Sequence, residues 1–320
     1  MSGYTEWIRS LIGHRKIPLV STSAFIRDAS GRILWQRRSD FGFWGLPGGV
    51  LELNETLTAC VIREVHEETG LEVIPNHLVG LYSSPDFDVT YPNGDQIQQV
   101  TFCFECQLSG STPHSHDQET LELAWFDPDK PPATAAWYQA MLADALAGKK
   151  ATQFKHGNSG MPRQGEPLYK QLRQFVGHAP YIMPSAIALV VDDAGNILLQ
   201  QRKDNGLWNL PAGGMELGER LDQTAVNETR EETGVEVEAE HLLGVYSDPN
   251  RITTFSNGDQ LNNVLVLFKC RVVGGNPRPD GIESLAAGFF PIDALPKPGH
   301  PLLKQVLKIG LSGQDEAYFQ

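Results

Sequence analysis

Runs of apolar residues with strand-like and helical spacing occur in the same order in both halves of the chain. In the first half, LVSTSAFIRD and RILWQRR alternate around a Ser-Gly turn and precede a helical period over 57–69. LEVIPNHLVGLYSSP and VTYPNGDQIQQVTFCFECQL follow, with a hairpin turn at Asn93 and Gly94. A short helix over 6–12 and another over 135–147 complete the predicted plan.

The second half repeats this plan at a constant offset of 164 residues. The register holds without a gap from Ile8, which aligns with Leu172, to Phe126, which aligns with Phe290. A tandem duplication of one domain explains this match.

The duplication predicts two domains, a first repeat over 1–148 and a second repeat over 167–320. The polar, Gly-containing segment 149–166 between them is predicted to be a flexible linker. After a closing helix over 301–311, the tail SGQDEAYFQ is predicted to be disordered.

Composition is that of a globular protein, with 320 residues of which 41% are hydrophobic. A net charge of −13 argues against a general affinity for nucleic acid or anionic membrane. No apolar run reaches transmembrane length, and MSGYTEWIRS lacks the features of a signal peptide. We expect a cytoplasmic protein with no membrane partner and no stable nucleic-acid partner.

The four cysteines are too few and too scattered for a disulfide scaffold. Cys103 and Cys106 form a lone CxxC, but they lie in an alternating run. Residues three apart on a strand face opposite sides, so ordinary packing is expected for both.

The main candidate for chemistry is the run GVLELNETLTACVIREVHEETGL over 49–71. If Thr56 caps a helix that ends at Gly70, three apolar positions share one face, which is predicted to be buried. These positions are Leu57, Val61 and Val65.

Three carboxylates, those of Glu64, Glu67 and Glu68, point to one side of this helix, and Glu55 joins them from the preceding loop. Clustered carboxylates repel each other, and a hard divalent cation removes that repulsion. His66 lies at an unsuitable angle, so oxygen ligands favour Mg²⁺ or Mn²⁺.

A guanidinium among these carboxylates, that of Arg63, would orient them and lower their pKa values. In the second repeat, GGMELGERLDQTAVNETREETGV over 213–235 has Asn227 in place of Arg63 and Arg220 in place of Thr56. Its carboxylates remain, so we predict that the second site binds metal but works more slowly or on another substrate. They are Glu219, Glu228, Glu231 and Glu232.

The spacing of Gly49, Glu55, Arg63 and the glutamates up to Gly70 resembles the Nudix box, and both repeats resemble Nudix hydrolases. The resemblance implies an α/β fold of two tandem α/β/α sandwiches with mixed β-sheets. Nudix enzymes often dimerise, so the resemblance also leaves open an internal pseudo-dimer or a homodimer.

By the same resemblance, the reaction is hydrolysis of a diphosphate in a nucleotide-type small molecule. A nucleoside diphosphate linked to another group, such as ADP-ribose or a sugar nucleotide, is favoured. Pool-cleansing hydrolysis of nucleoside triphosphates and a ligand-binding sensor with inactive sites stay open.

The resemblance also implies roles for individual residues. Glu64, Glu67 and Glu68 would be ligands in the first repeat, with Glu228, Glu231 and Glu232 in the second, while Glu55 and Glu219 support them. The catalytic base is Glu67, Glu68 or Glu119. The phosphate contacts implied are Gly48, Gly49 and Gly213.

Three aromatic residues, Tyr82, Phe87 and Tyr91, flank the Asn93-Gly94 turn and are candidates for substrate binding. Stacking on a nucleobase would contribute about 1 to 3 kcal/mol per base. Ordinary packing is the alternative for each.

Overall fold

The computed structural model describes residues 3–109, 119–158, 165–250, 252–255 and 257–319. The first repeat contains helices α1 (Tyr4–Ile12), α2 (Leu57–Thr69) and α3 (Ala136–Ala147), and strands β1 (Ile17–Ile26), β2 (Ile33–Arg38), β3 (Trp44–Gly45), β4 (Val73–Tyr82), β5 (Val89–Thr90), β6 (Gln96–Leu108) and β7 (Thr120–Phe126). The second repeat contains α4 (Leu168–Val176), α5 (Leu221–Thr233) and α6 (Leu303–Gly310), and strands β8 (Tyr181–Val190), β9 (Ile197–Arg202), β10 (Trp208–Asn209), β11 (Ala212–Gly214), β12 (Val235–Tyr246), β13 (Ile252–Thr254), β14 (Gln260–Gly275) and β15 (Ser284–Phe290).

Each repeat has one mixed sheet and one small antiparallel sheet, which confirms the predicted α/β class. In the first repeat, β6 pairs in parallel with β1 and antiparallel with β4, and β2 lies between β3 and β7. In the second, β14 pairs in parallel with β8 and antiparallel with β12, and β9 lies between β10 and β15.

The box helix α2 forms where the sequence predicts it. The hydroxyl of Thr56 accepts a hydrogen bond from the Ala59 N–H at 3.1 Å, and Gly70 ends the helix with φ +67°. A side chain at that φ would be strained, so the glycine suits the helix end. The predicted apolar stripe, Leu57, Val61 and Val65, is fully buried.

The cysteine prediction is also confirmed. All four cysteines are free and buried. Cys106 packs in a large hydrophobic cluster that draws on both repeats, whereas Cys103 packs in a second cluster on the other face of β6.

The predicted flexible linker and disordered tail are wrong for the parts that the structure describes. Residue Gln153 exchanges backbone hydrogen bonds with Val79 and Leu81 along the edge of β4. In the tail, Tyr318 does the same with Leu243 and Val245 along β12. An open strand edge offers unpaired backbone groups to any nearby extended segment, which explains both additions. Part of the linker, 159–164, lies outside the described residues.

The repeats contact each other through reciprocal hydrogen bonds. Ser83 accepts from the N–H of Leu221, the first residue of α5, at 3.0 Å. At the equivalent positions, Ser247 accepts from the N–H of Leu57, the first residue of α2, at 2.9 Å. Each box helix therefore has one of its free amide groups satisfied by the other repeat.

No helix among the residues that the structure describes is long and apolar enough to cross a membrane.

Candidate active site

Helix α2 presents its glutamates to a large cavity in the first repeat. The cavity measures about 1020 Å³, and Glu64, Glu67 and Glu68 line it together with Gly48 and Gly49. A Cβ at position 49 would collide with the carboxylate of Glu64, so glycine leaves room for that side chain in its observed position.

Arg63 connects a carboxylate that precedes α2 with two carboxylates in the second half of the helix. Its guanidinium donates to Glu55 at 2.5 and 3.0 Å, to Glu64 at 2.7 Å and to Glu67 at 3.0 Å. A fifth contact reaches the carbonyl of Val50 at 3.1 Å. One guanidinium thus contacts three carboxylates, and its orienting role stays a prediction.

Glu68 is the most buried of the cavity carboxylates, with 3% of its surface exposed. Gln36 Nε2 donates to its Oε1 at 2.8 Å, and the N–H of Gly48 donates to its Oε2 at 2.7 Å. Burial raises the pKa of Glu68 to about 8, although both hydrogen bonds lower it. Thr120 in turn donates to Gln36 Oε1 at 2.9 Å, which fixes the amide.

The pKa of Glu64 is also raised by burial, but here the opposing group is a charged side chain. Burial raises its pKa to about 7, and the adjacent Arg63 lowers it. Glu67 keeps about half of its side chain exposed and pairs with Arg63. One buried carboxylate, one partly buried carboxylate and one exposed carboxylate thus face the same space.

The predicted phosphate-binding glycines have more specific roles in the structure. The Gly48 N–H is engaged by Glu68, so this amide positions a carboxylate. Gly48 also has φ +145°, and a Cβ there would collide with the backbone of Thr22 and Ser23. Gly213 lies in β11 opposite Ala186, and it leaves room for Glu228 as Gly49 does for Glu64.

Of the two glutamates before Trp125, Glu119 lines the cavity. The electrostatic effect of Glu119 reaches Glu64 and raises the pKa of that group, as a minor contribution after burial. Glu122 lies opposite Arg37 in the antiparallel pair of β7 with β2, with 3.9 Å between the charged groups. Glu119 therefore stays a candidate base together with Glu67 and Glu68.

The three aromatic candidates separate in the structure. Tyr91 lines the cavity, and its role in substrate binding stays a prediction. Tyr82 is 1% exposed and donates to Asp144 at 2.7 Å, and Phe87 is 7% exposed in the core. Both belong to a cluster behind the sheet, so they contribute packing there, and their substrate-binding role is not carried forward.

Sequence reasoning missed several residues that line the same cavity. Arg38 enters from the end of β2, and Trp137 and Tyr138 enter from the start of α3. Arg38 forms a two-point ion pair with Asp40 at 3.0 and 2.6 Å. No local pattern signals these residues, because they come from segments far apart in the sequence.

Within the residues that the structure describes, no group of three His, Cys, Asp or Glu side chains stands ready to hold a metal ion.

Comparison with known proteins decides the family. A family model described as NUDIX domain matches residues 18–145 and again residues 182–308. The chain belongs to the Nudix family.

Three Nudix relatives each match a segment of this chain about as long as one repeat. A MutT-like protein of Streptomyces ambofaciens is 37% identical over 130 residues, 40% of this chain and 77% of that protein. An ADP-ribose pyrophosphatase of Methanocaldococcus jannaschii is 35% identical over 122 residues, 37% of this chain and 68% of that protein. A putative 8-oxo-dGTP diphosphatase of Bacillus subtilis is 32% identical over 111 residues, 35% and 68% of the two chains. The protein is thus a hydrolase of phosphoric anhydride bonds.

The second Nudix box keeps its carboxylates without the guanidinium. Asn227 donates to Glu219 at 2.7 Å, and Thr224 donates to the other oxygen of Glu219 at 2.9 Å. Glu219 is 1% exposed, whereas 12% of the side chain of its counterpart, Glu55, is exposed.

Glu232 repeats the environment of Glu68. Gln200 donates to it at 2.9 Å and the N–H of Ala212 at 3.0 Å, and burial raises its pKa well above the usual range. Glu228 is also buried, with 7% exposed, while nearly half of the Glu231 side chain is exposed. The buried part of the Nudix carboxylate set is therefore preserved in the second repeat.

Proposed function

We propose that the first repeat hydrolyses the diphosphate of a nucleoside diphosphate linked to another moiety, with ADP-ribose or a sugar nucleotide as the favoured substrate. One observation carries this proposal. The glutamates of α2 and the aromatic residues Tyr91, Trp137 and Tyr138 line one cavity of about 1020 Å³. That volume lies at the upper end for small-molecule sites and suits a ligand larger than a diphosphate alone. The named ADP-ribose pyrophosphatase relative supports the same choice.

A divalent cation, Mg²⁺ or Mn²⁺, fits the donor set. Glu64 and Glu68 are carboxylates whose pKa values are raised by burial, so a positive charge beside them would favour their ionised forms. Their donor atoms are all oxygen, which suits a hard cation. When bound, the cation would neutralise charge on the diphosphate and lower the pKa of a water molecule.

The chain's own residues would then divide the work. Glu64, Glu67 and Glu68 would hold the cation, and Arg63 would keep their carboxylates in position with support from Glu55. In the second repeat, Glu228, Glu231 and Glu232 would do the same, supported by Glu219. A proton from the attacking water would pass to Glu67, Glu68 or Glu119.

A nucleoside triphosphate substrate is the second candidate, because a putative 8-oxo-dGTP diphosphatase matches one repeat at 32% identity. A sensor role is a candidate for the second repeat, where Asn227 replaces the guanidinium.

The domain arrangement belongs to the same proposal. The repeats, taken as 1–148 and 167–320 around the segment 149–166, form an internal pseudo-dimer. The reciprocal contacts of Ser83 and Ser247 support it, because they follow the pattern of a two-fold interface.

A substrate panel tests the proposal. Product release would be measured with Mg²⁺, with Mn²⁺ and with a chelator, across ADP-ribose, other sugar nucleotides, dinucleoside polyphosphates and nucleoside triphosphates. We expect metal-dependent turnover that is fastest with ADP-ribose or a sugar nucleotide. Faster turnover of nucleoside triphosphates would select the second candidate, and binding without turnover on any substrate would select the sensor.

A further inference from the structure

The contact between α1 of the first repeat and β8 of the second is not symmetric. Tyr4, 5% exposed, accepts a hydrogen bond at its Oη from the backbone N–H of Ile182 at 3.1 Å. Ile182 is 4% exposed, so water does not provide an alternative partner for this amide group. The tyrosine hydroxyl therefore satisfies a buried donor that belongs to the other repeat.

The equivalent positions, at the offset of 164 residues, are Leu168 and Pro18. Proline has no backbone N–H and leucine has no hydroxyl group. The Tyr4–Ile182 contact thus has both a donor and an acceptor, whereas the symmetry-related pair, Leu168 and Pro18, has neither. This is the arrangement expected if the two sides have adapted to each other.

A second unlike contact lies nearby. The guanidinium of Arg15 lies 4.4 Å from the ring centroid of Phe175, in cation–π geometry. The equivalent positions of Arg15 and Phe175 are Ala179 and Leu11, which cannot form such a contact.

A third contact involves a residue of the first repeat that is longer than its counterpart. The side chain of Gln98 donates to the Glu219 carbonyl at 2.6 Å and accepts from the Gly218 N–H at 2.7 Å. Asn262, its counterpart, is one methylene shorter and donates to the Leu53 carbonyl at 2.7 Å.

We propose that this face of the first repeat is a selective interaction surface whose partner is the second repeat and not a second copy of the first. In a pair of first repeats, the hydroxyl of Tyr4 would face Pro18, which has no N–H to donate. In a pair of second repeats, the N–H of Ile182 would face Leu168. Each like pair would bury an unpaired polar group, which disfavours it relative to the unlike pair.

The symmetric contacts do not contribute to this selection. Ser83 and Ser247 occupy equivalent positions, so their hydrogen bonds would also form between like repeats. Affinity and selectivity therefore come from different parts of the surface. The proposal concerns pairing alone and does not depend on the substrate of either site.

The test uses the full chain with a protease site inserted between 158 and 165. After folding and cleavage, the protein is unfolded, refolded as the mixture of both halves, and analysed by native mass spectrometry. We expect unlike pairs to exceed clearly the roughly half that random assortment would give. Random assortment, an excess of like pairs or unpaired halves would overturn the proposal.

Single variants test whether the Tyr4 hydrogen bond favours pairing between unlike repeats. Tyr4→Phe removes only the hydroxyl and is expected to weaken unlike pairing about tenfold or more. Tyr169→Phe, at an exposed tyrosine of α4, is the matched control and should pair as wild type. Equal pairing in the two variants would contradict a role for the Tyr4 hydrogen bond.

A double variant, Tyr4→Leu with Ile182→Pro, gives both sides the Leu and Pro pair. We expect it to pair better than Tyr4→Leu alone, because no buried group is left unpaired. Like pairs of first repeats should increase in it. Selectivity equal to that of the wild type would show that Tyr4 and Ile182 are not the determinant.

Discussion

The first Nudix box pairs its carboxylates with a guanidinium, whereas the second stabilises one of its carboxylates with hydrogen bonds from uncharged side chains. Arg63 donates to Glu55, Glu64 and Glu67, whereas Asn227 donates to Glu219. The second site also buries its supporting glutamate more completely. The comparison shows that the box glutamates can keep their positions when the arginine between them is replaced by asparagine. The arrangement of the site and its charge can therefore change independently within one duplicated fold.

The largest expected effect separates the two sites by activity. Glu68→Gln keeps the shape of the side chain but removes its charge, so we expect kcat to fall about 100-fold or more. Glu232→Gln makes the same change at the equivalent position and should leave most of the turnover. Steady-state kinetics on the preferred substrate measures both, and the reverse pattern would show that the second repeat is the working site.

The second largest effect is expected when Arg63 is replaced by asparagine, the residue at the equivalent position of the second repeat. Arg63→Asn removes four charge-assisted hydrogen bonds to carboxylates, so we expect the free energy of unfolding in chelator to fall by about 1 to 3 kcal/mol. Added Mg²⁺ should recover part of this loss, because a bound cation stabilises the folded state.

Urea denaturation with and without Mg²⁺ measures that change. Arg230→Asn is the control, because the Arg230 side chain is more than half exposed and lies 4.0 Å from Glu231. A variant at Arg63 as stable as this control would mean that the guanidinium does not hold the shell together.

A smaller effect concerns the starts of the two box helices. Thr56→Ala removes the capping hydroxyl and should cost about 1 kcal/mol of stability. Arg220→Thr should not gain that amount, because Arg220 makes a two-point ion pair with Asp222 at 2.9 and 2.9 Å. Thermal unfolding of both variants measures these stability changes. A clear gain in stability for Arg220→Thr would show that the ion pair contributes nothing.

The smallest effect is expected where the repeats agree. Burial alone would raise the pKa of Asp95, but hydrogen bonds from His14 and Asn93 outweigh it, so the pKa is lowered. A carboxyl group with a lowered folded-state pKa stabilises the protein above its unfolded-state pKa, and this stabilisation is lost as the pH falls through the folded-state value.

Asp95→Asn should therefore be slightly less stable than wild type at pH 6, and the difference should disappear in acid. Asp259→Asn should behave alike, because Asp259 accepts from His178 in the same geometry, at 2.7 Å. Unfolding measured across pH would reveal unequal responses, which would break the equivalence of the repeats at this position.

Sequence patterns correctly predicted the features that depend on residues close together in the chain. The cap at Thr56, the buried face of α2 and the end at Gly70 depend on residues within one helix, and the structure has all three. The duplication was likewise readable from the sequence, because the register holds without gaps.

The remaining features depend on contacts between distant segments. The strand-like additions at Gln153 and Tyr318 lie in polar stretches without alternation, and each exists because an edge of β4 or β12 is available. Tyr82 and Tyr91 look alike in the sequence, yet only Tyr91 lines the cavity. Which side of a hairpin faces the core is set by how the sheet packs, which no window of sequence contains.

The crossed serine contacts couple the folding of each half of this chain to the other half. If the second half unfolds, Leu57 loses the hydroxyl of Ser247, and the same holds for Leu221 and Ser83. Heating should therefore melt the chain in one calorimetric transition, although it contains two units that match the same family model. Evolution could then relax the chemistry of one half while still selecting for its ability to fold.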